Sequence, residues 1–148
     1  MKKILIFSIL LSLSFSGLAQ SPKREFRATW LTTVWRNDWP KSTVITSTGN
    51  SGEIQMQKNE MIAILDSLKR LNANSVCFQV RSRCDAMYKS SYEPWSSDLV
   101  GTRGMDPGYD PLAFVVQEGH KRGIEVHTWI IPYRFESVTN QWSGLPGD

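Results

Sequence analysis

The amino-acid sequence predicts an α/β fold built on a parallel sheet. Three observations carry that prediction. Segments with strand character alternate with two segments of helical periodicity, their order is strand, helix, strand, helix, strand, and the connections between them are unequal. That order specifies parallel pairing through right-handed crossovers. The connections after the first two strands are long, whereas each helix-to-strand connection takes only about three residues, so a ligand site is expected at the carboxyl ends of the strands. A (β/α) barrel and a doubly wound sheet share that pattern.

The first strand is expected over residues 26–35, FRATWLTTVW, which is rich in Thr, Val and aromatic residues with no Gly or Pro. Residues 37–52 then read as a loop, because Asn, Asp, Pro, Ser, Thr and Gly dominate them. A loop of that length in a compact domain is usually functional or mobile. Met61, Ile64, Leu65, Leu68 and Leu71 recur at three- and four-residue steps and predict a helix over residues 55–71, ended by residues 72–74. Residues 76–80 form a short apolar strand that runs into the polar stretch 81–85. A second long loop, residues 82–109, carries Tyr88, Tyr92 and Trp95. Asp110 then caps a second helix, Pro111 takes its first position, Leu112, Val115 and Val116 form its apolar stripe, and Gly123 stops it. Residues 124–131 make the third strand, which Pro132 ends.

Length and charge narrow the function classes. At 148 residues, 41% apolar and 21% charged, the chain holds at most one ordinary folded domain. Lys2 and Lys3, the apolar run 4–15 and small Gly17 and Ala19 read as a secretory signal over residues 1–19, cleaved after Ala19. The apolar run is too short for a membrane span, so the mature form is expected to have none, and the protein is expected in the periplasm or secreted. Loss of the two lysines brings the net charge from +3 to +1, a balance that attracts neither nucleic acid nor an anionic membrane. No G-x-G-x-x-G follows the first strand and no P-loop sequence occurs, so no nucleotide is expected; no metal or other cofactor is called for. Cys77 sits in a strand and Cys84 in the loop just after it, a separation that disfavours a disulfide.

Candidate site residues lie at the strand ends. The third strand alternates Ile124, Val126, Thr128 and Ile130 with Glu125, His127, Trp129 and Ile131, and this second face is polar for an interior strand. Glu125 and His127 therefore suit the polar interior of a barrel mouth; the structural alternatives are a hydrogen-bonded core histidine for His127 and an ion pair or exposed edge for Glu125. Arg81, Arg83 and Asp85 leave the second strand together, and Tyr133 and Arg134 leave the third. Forked donors, a carboxylate acceptor and flat aromatic faces make up the mixture that binds sugar rings. An Arg81–Asp85 ion pair is the structural alternative. At least half of Trp30, Trp35, Trp39, Trp95 and Trp129 are expected to pack in the core.

Four blocks resemble the glycosyl hydrolase-like 10 family: FRATWLTTVWRNDWP at residues 26–40, RSRCDAMYKSSYEPWS at 81–96, GMDPGYDPLAF at 104–114 and HKRGIEVHTWIIPYR at 120–134. The resemblance implies a partial (β/α)8 TIM barrel over residues 25–148, comprising the first three parallel strands and two helices. It also implies an exported glycoside hydrolase-like protein that acts on or binds glycan, with peptidoglycan strands as a plausible substrate, in a truncated form that lacks the full catalytic barrel. A non-catalytic carbohydrate-binding remnant and a small α/β binding module are the alternatives. The sequence departs from the family at two places: Cys84 stands where the family usually has Gly, and Ile131 where it usually has Asn. The implied substrate-binding residues are Arg81, Asp85, His127, Trp129, Tyr133 and Arg134. Glycoside hydrolysis generally requires two carboxyls across the scissile bond. The carboxylates near strand ends are Asp38, Asp85 and Glu136, none with an identifiable partner, so the catalytic acid and base stay unassigned.

Overall fold

The computed structural model describes residues 25–134; the segment 1–19 read as a secretory signal, residues 20–24, Glu136 and the rest of residues 135–148 lie outside the described residues. The elements are β1 (Ala28–Leu31), a 3-10 turn (Val34–Arg36), α1 (Ser51–Arg70), β2 (Ser75–Arg81), α2 (Pro111–Lys121) and β3 (Glu125–Ile130). β2 is the central strand, and both of its ladders are parallel. This is the expected α/β arrangement of three parallel strands and two helices.

Because paired residues of adjacent strands share a face, the register assigns the two surfaces of the sheet. Val76, Phe78 and Val80 point toward the helices and join Leu31 of β1, Met61, Leu65 and Leu68 of α1, and Val115 of α2 in one buried cluster. α2 lies close on β3. A Cβ at Gly119 would come within 2.9 Å of Val126 Cγ2 and 3.2 Å of the Ile124 carbonyl, so the small residue sets that approach. The opposite face carries Trp30, Cys77 and His127 in one row, with Gln79 and Trp129 in the next. Both cysteines are free thiols.

Of the boundaries that differ from the sequence expectation, three follow from identifiable contacts. β1 stops at Leu31 because the next four amides turn to side chains rather than to a neighbouring strand, and residues 34–36 form a 3-10 turn. α1 begins at Ser51, inside the stretch read as loop, because Asn50 is its cap and accepts from the Glu53 amide at 3.2 Å. β2 extends to Arg81 through an irregularity in its pairing with β3 between Gln79 and Arg81. The second helix matches its reading closely: Asp110 accepts from the Ala113 amide at 2.9 Å, Pro111 occupies the first turn, and Gly123 follows with φ 71°.

The two long loops are knitted to each other and to α1. Ile45 bridges Val100 in parallel, with the Ile45 amide donating to the Leu99 carbonyl at 3.2 Å and the Gly101 amide to the Ile45 carbonyl at 2.7 Å. Gln57, fully buried on α1, donates through Nε2 to the carbonyls of Thr43 and Leu99, both at 2.9 Å, and accepts the Tyr109 hydroxyl at 2.8 Å. Its own carbonyl accepts the indole N–H of buried Trp39 at 3.0 Å. Burial, with the negative charges of Glu60 and Asp110, pushes the Tyr109 hydroxyl well above the ordinary tyrosine value, so it remains a donor. Gln57→Leu is expected to lower stability by about 2 kcal/mol, because the buried Thr43 carbonyl and the Tyr109 hydroxyl lose their partner and the Leu99 carbonyl keeps only the Ile45 amide. Urea denaturation measures this, and an unchanged midpoint would refute it.

Candidate functional site at the carboxyl ends of the strands

The site begins where β1 ends. Asp38 Oδ2 accepts from the Thr32 amide at 2.8 Å, Gln79 Oε1 accepts from the amides of both Thr33 and Val34 at 2.9 Å, and Asp98 Oδ2 accepts from the Trp35 amide at 3.1 Å. Four consecutive backbone donors are thus satisfied by three side chains from separate parts of the chain. The Thr33 hydroxyl adds a bond to the Gln79 carbonyl at 3.0 Å. Beyond the clamp, Trp35 and Arg36 both take left-handed backbone, with φ 55° and 56°. For residues with a Cβ this costs about 1–2 kcal/mol each, and such conformations persist where the surroundings over-determine them. Trp35 nevertheless remains 68% exposed, with the Arg134 guanidinium 5.0 Å from its ring centroid.

At the end of β2, Arg81 and Asp85 do not pair with each other. Arg81 Nε donates to Glu93, Nη1 to the Ile131 carbonyl and Nη2 to Cys84 Sγ at 3.4 Å, which ties the end of β3 to the loop after β2. Burial works against its charge, but Glu93 and Cys84 hold its pKa above the ordinary arginine value. Asp85 is buried. Its Oδ1 accepts from the Ser82 amide at 3.3 Å, the Ser82 hydroxyl at 3.1 Å and the Arg83 amide at 2.9 Å, and its Oδ2 from the Ser96 hydroxyl at 2.5 Å. This carboxylate organises the loop from inside. Arg83 pairs with Asp98 at 2.5 Å. Burial pushes the Asp98 carboxyl up, against the pull of Arg83 and of the Trp35 amide, while the nearby Asp85 charge adds to the rise.

The remaining predicted residues belong to β3 and its end. His127 is half exposed on the open sheet face, 3.5 Å from Glu125 and edge-on to Phe26 with centroids 5.5 Å apart. Trp129 meets Trp30 edge-on at 4.9 Å. Tyr133 is 90% exposed, and Arg134 lies over Trp35 while its carbonyl accepts the Cys84 thiol at 3.5 Å. Arg81, Trp129, Tyr133 and Arg134 therefore gather at one end of the sheet, with Asp85 beneath them in the loop and His127 deeper along β3. Of the tryptophans, Trp39 is buried and Trp95 packs against the core, whereas Trp30 and Trp35 are exposed.

Gln79 and Asp98 are not among the residues expected at the site, and Trp35 is expected only as one of five tryptophans of which at least half pack in the core. An amide inside the apolar run SVCFQV was the available signal for Gln79, since a buried polar side chain needs partners. Trp35 was hidden by the unbroken strand-like run in which it ends. The carboxylates at this end are already engaged: Asp38 with Thr32, Asp85 with Ser82, Arg83 and Ser96, Glu93 with Arg81, and Asp98 with Arg83 and Trp35. Among the described residues no group of three or more acidic, histidine or cysteine side chains is arranged to hold a metal ion. What this end offers is exposed aromatic and cationic surface on a rigid hydrogen-bonded base.

Parallel strands backed by helices, with such side chains at the carboxyl ends, define an α/β protein consistent with a sector of a (β/α) barrel. The chain belongs to the glycosyl hydrolase-like 10 family, whose profile matches residues 25–145. Glycosyl hydrolase YngK of Bacillus subtilis (strain 168) is 41% identical over 131 residues, which are 88% of this chain and 24% of that protein. Glycosyl hydrolase DigH of Escherichia coli (strain K12) is 42% identical over 115 residues, 78% of this chain and 26% of that protein. The chain thus spans about a quarter of the length of these curated relatives.

The departure at Cys84 has a backbone reading. Its φ is 50°, a left-handed conformation that glycine adopts without steric cost. Cys84→Gly is therefore expected to raise stability by about 0.5–1 kcal/mol despite the lost thiol contacts, whereas Cys84→Val should lower it. The urea midpoints of the two variants check this, and a lower midpoint for Cys84→Gly would refute it.

Proposed function

We propose that this chain forms part of the glycan-binding wall of an exported glycoside hydrolase-like protein whose substrates are peptidoglycan strands. The observation that carries the reading is the cluster of Tyr133, Arg134 and Trp129 at the carboxyl end of the sheet, where Tyr133 is almost fully exposed on a framework braced by Arg81. Aromatic faces take up the apolar side of a sugar ring, and a guanidinium donates to its hydroxyls and carboxylates. His127 extends the same surface along β3, and Asp85 supports it from below. Export rests on the basic start, apolar run and small-residue exit of residues 1–19.

A second reading, glycan binding without turnover by this chain, is favoured by one specific observation. Each of Asp38, Asp85, Glu93 and Asp98 already serves an internal hydrogen bond, so the carboxylates at the strand ends are engaged in bracing the framework.

The test separates the two readings. The chain is incubated with peptide-free peptidoglycan strands, with intact peptidoglycan and with cellulose, and both co-sedimentation and new reducing ends are followed. Binding to peptidoglycan without release is the expected outcome for the chain by itself, and Tyr133→Ala and Trp129→Ala should each weaken binding by about threefold or more. Equal retention on cellulose, or none on any glycan, would overturn the assignment. Mass spectrometry of the exported protein should find its amino terminus at Gln20, and a mature protein that begins at Met1 would remove the export reading.

A further inference from the structure

The clamp at the end of β1 holds one large apolar side chain out in solvent. Trp35 is displayed to solvent in left-handed backbone, although an indole gains from burial and a residue with a Cβ pays for that conformation. Asp38, Gln79 and Asp98 hold the four successive amides of residues 32–35, and Gln79 is itself fully buried. Arg134 covers one face of the indole. The residue is 68% exposed, at the same end of the sheet as Tyr133.

We propose that Trp35 is a sugar-stacking platform, which takes the apolar face of a pyranose ring on the side away from Arg134, and that Gln79 is the positioning residue that holds it there. The inference rests on the glycan-binding reading above and assigns the contact to a residue of the first strand's end. The geometry explains why the strand stops early: a ladder-paired amide at residues 32–35 would carry the indole along the sheet direction, whereas the clamp turns it out. Gln79 is suited to this because one carbonyl oxygen accepts both the Thr33 and Val34 amides from within the sheet. Arg134 contributes by bracing the back of the ring and by lying where it can donate to the same sugar.

The experiment titrates the full chain with soluble peptide-free peptidoglycan strands and reads affinity by calorimetry and the indole N–H resonances by NMR. The Trp35 resonance is assigned as the one missing from Trp35→Phe. In the wild type this resonance should shift on addition of glycan, and Trp35→Ala should weaken binding by about tenfold; as an exposed residue, it can be truncated without loss of the fold. Gln79→Leu should weaken binding comparably, and Gln79→Glu, which keeps an acceptor oxygen, should restore most of it. If Gln79→Leu does not fold, Asp38→Ala, which releases only the Thr32 amide, takes its place with the same expectation. Wild-type binding with an unshifted Trp35 resonance, or undiminished affinity in Trp35→Ala, would overturn this assignment and leave the glycan-binding reading standing. Absence of wild-type binding to any glycan would overturn that reading and the platform with it.

Discussion

Gln57 holds the architecture of the site together, although it touches no exposed surface. From a buried turn of α1 its side chain reaches two loop carbonyls and a tyrosine hydroxyl, while its backbone carbonyl takes the indole N–H of Trp39. Loops of this length carry many backbone groups that the sheet cannot satisfy, and an unpaired buried carbonyl is costly. The amide side chain meets that demand for the loop after β1 and the loop after β2 at one point. The Ile45–Val100 bridge then has a fixed base, and the surfaces above the strand ends inherit its rigidity.

A second constraint operates at the sheet itself. Parallel pairing is favourable for β1 only while its amides face β2, and beyond Leu31 side-chain acceptors win the competition. Three acceptors converge from residues 38, 79 and 98, so the turn is specified by contacts far apart in sequence. Arg81 plays the corresponding part between β2 and β3, where it secures the Ile131 carbonyl and Glu93 together. The charged residues nearest the strand ends therefore act mainly as braces, and the exposed aromatic residues form the accessible surface. That division of labour fits a binding wall, since a sugar-stacking surface gains affinity when its ordering cost is met in advance.

Membership of the glycosyl hydrolase-like 10 family agrees with this layout, because (β/α) proteins gather their ligand contacts at the carboxyl ends of the strands. The matched portion is about a quarter of each relative, and within it Asp38, Asp85, Glu93 and Asp98 at the strand ends brace the framework. The open sheet face bearing Trp30, His127 and Trp129 is continuous with the strand-end surface.

The order of elements, the parallel sheet and the second helix with its Asp110 cap and Gly123 stop were legible in the sequence, because each depends on local periodicity and turn chemistry. So was the gathering of Arg81, Trp129, Tyr133 and Arg134 at one end, since strand ends in a parallel sheet share a side. What each group does there was decided by tertiary structure. Asp85 and Arg81 are four positions apart and of opposite charge, yet the loop after β2 claims them separately, Asp85 through Ser82, Arg83 and Ser96 and Arg81 through Glu93. The run through Trp35 has every local mark of a strand, and nothing near it in sequence reveals that Gln79 and Asp98 will take its amides. Propensity is a short-range preference, and here hydrogen bonds from residues more than forty positions away outweigh it.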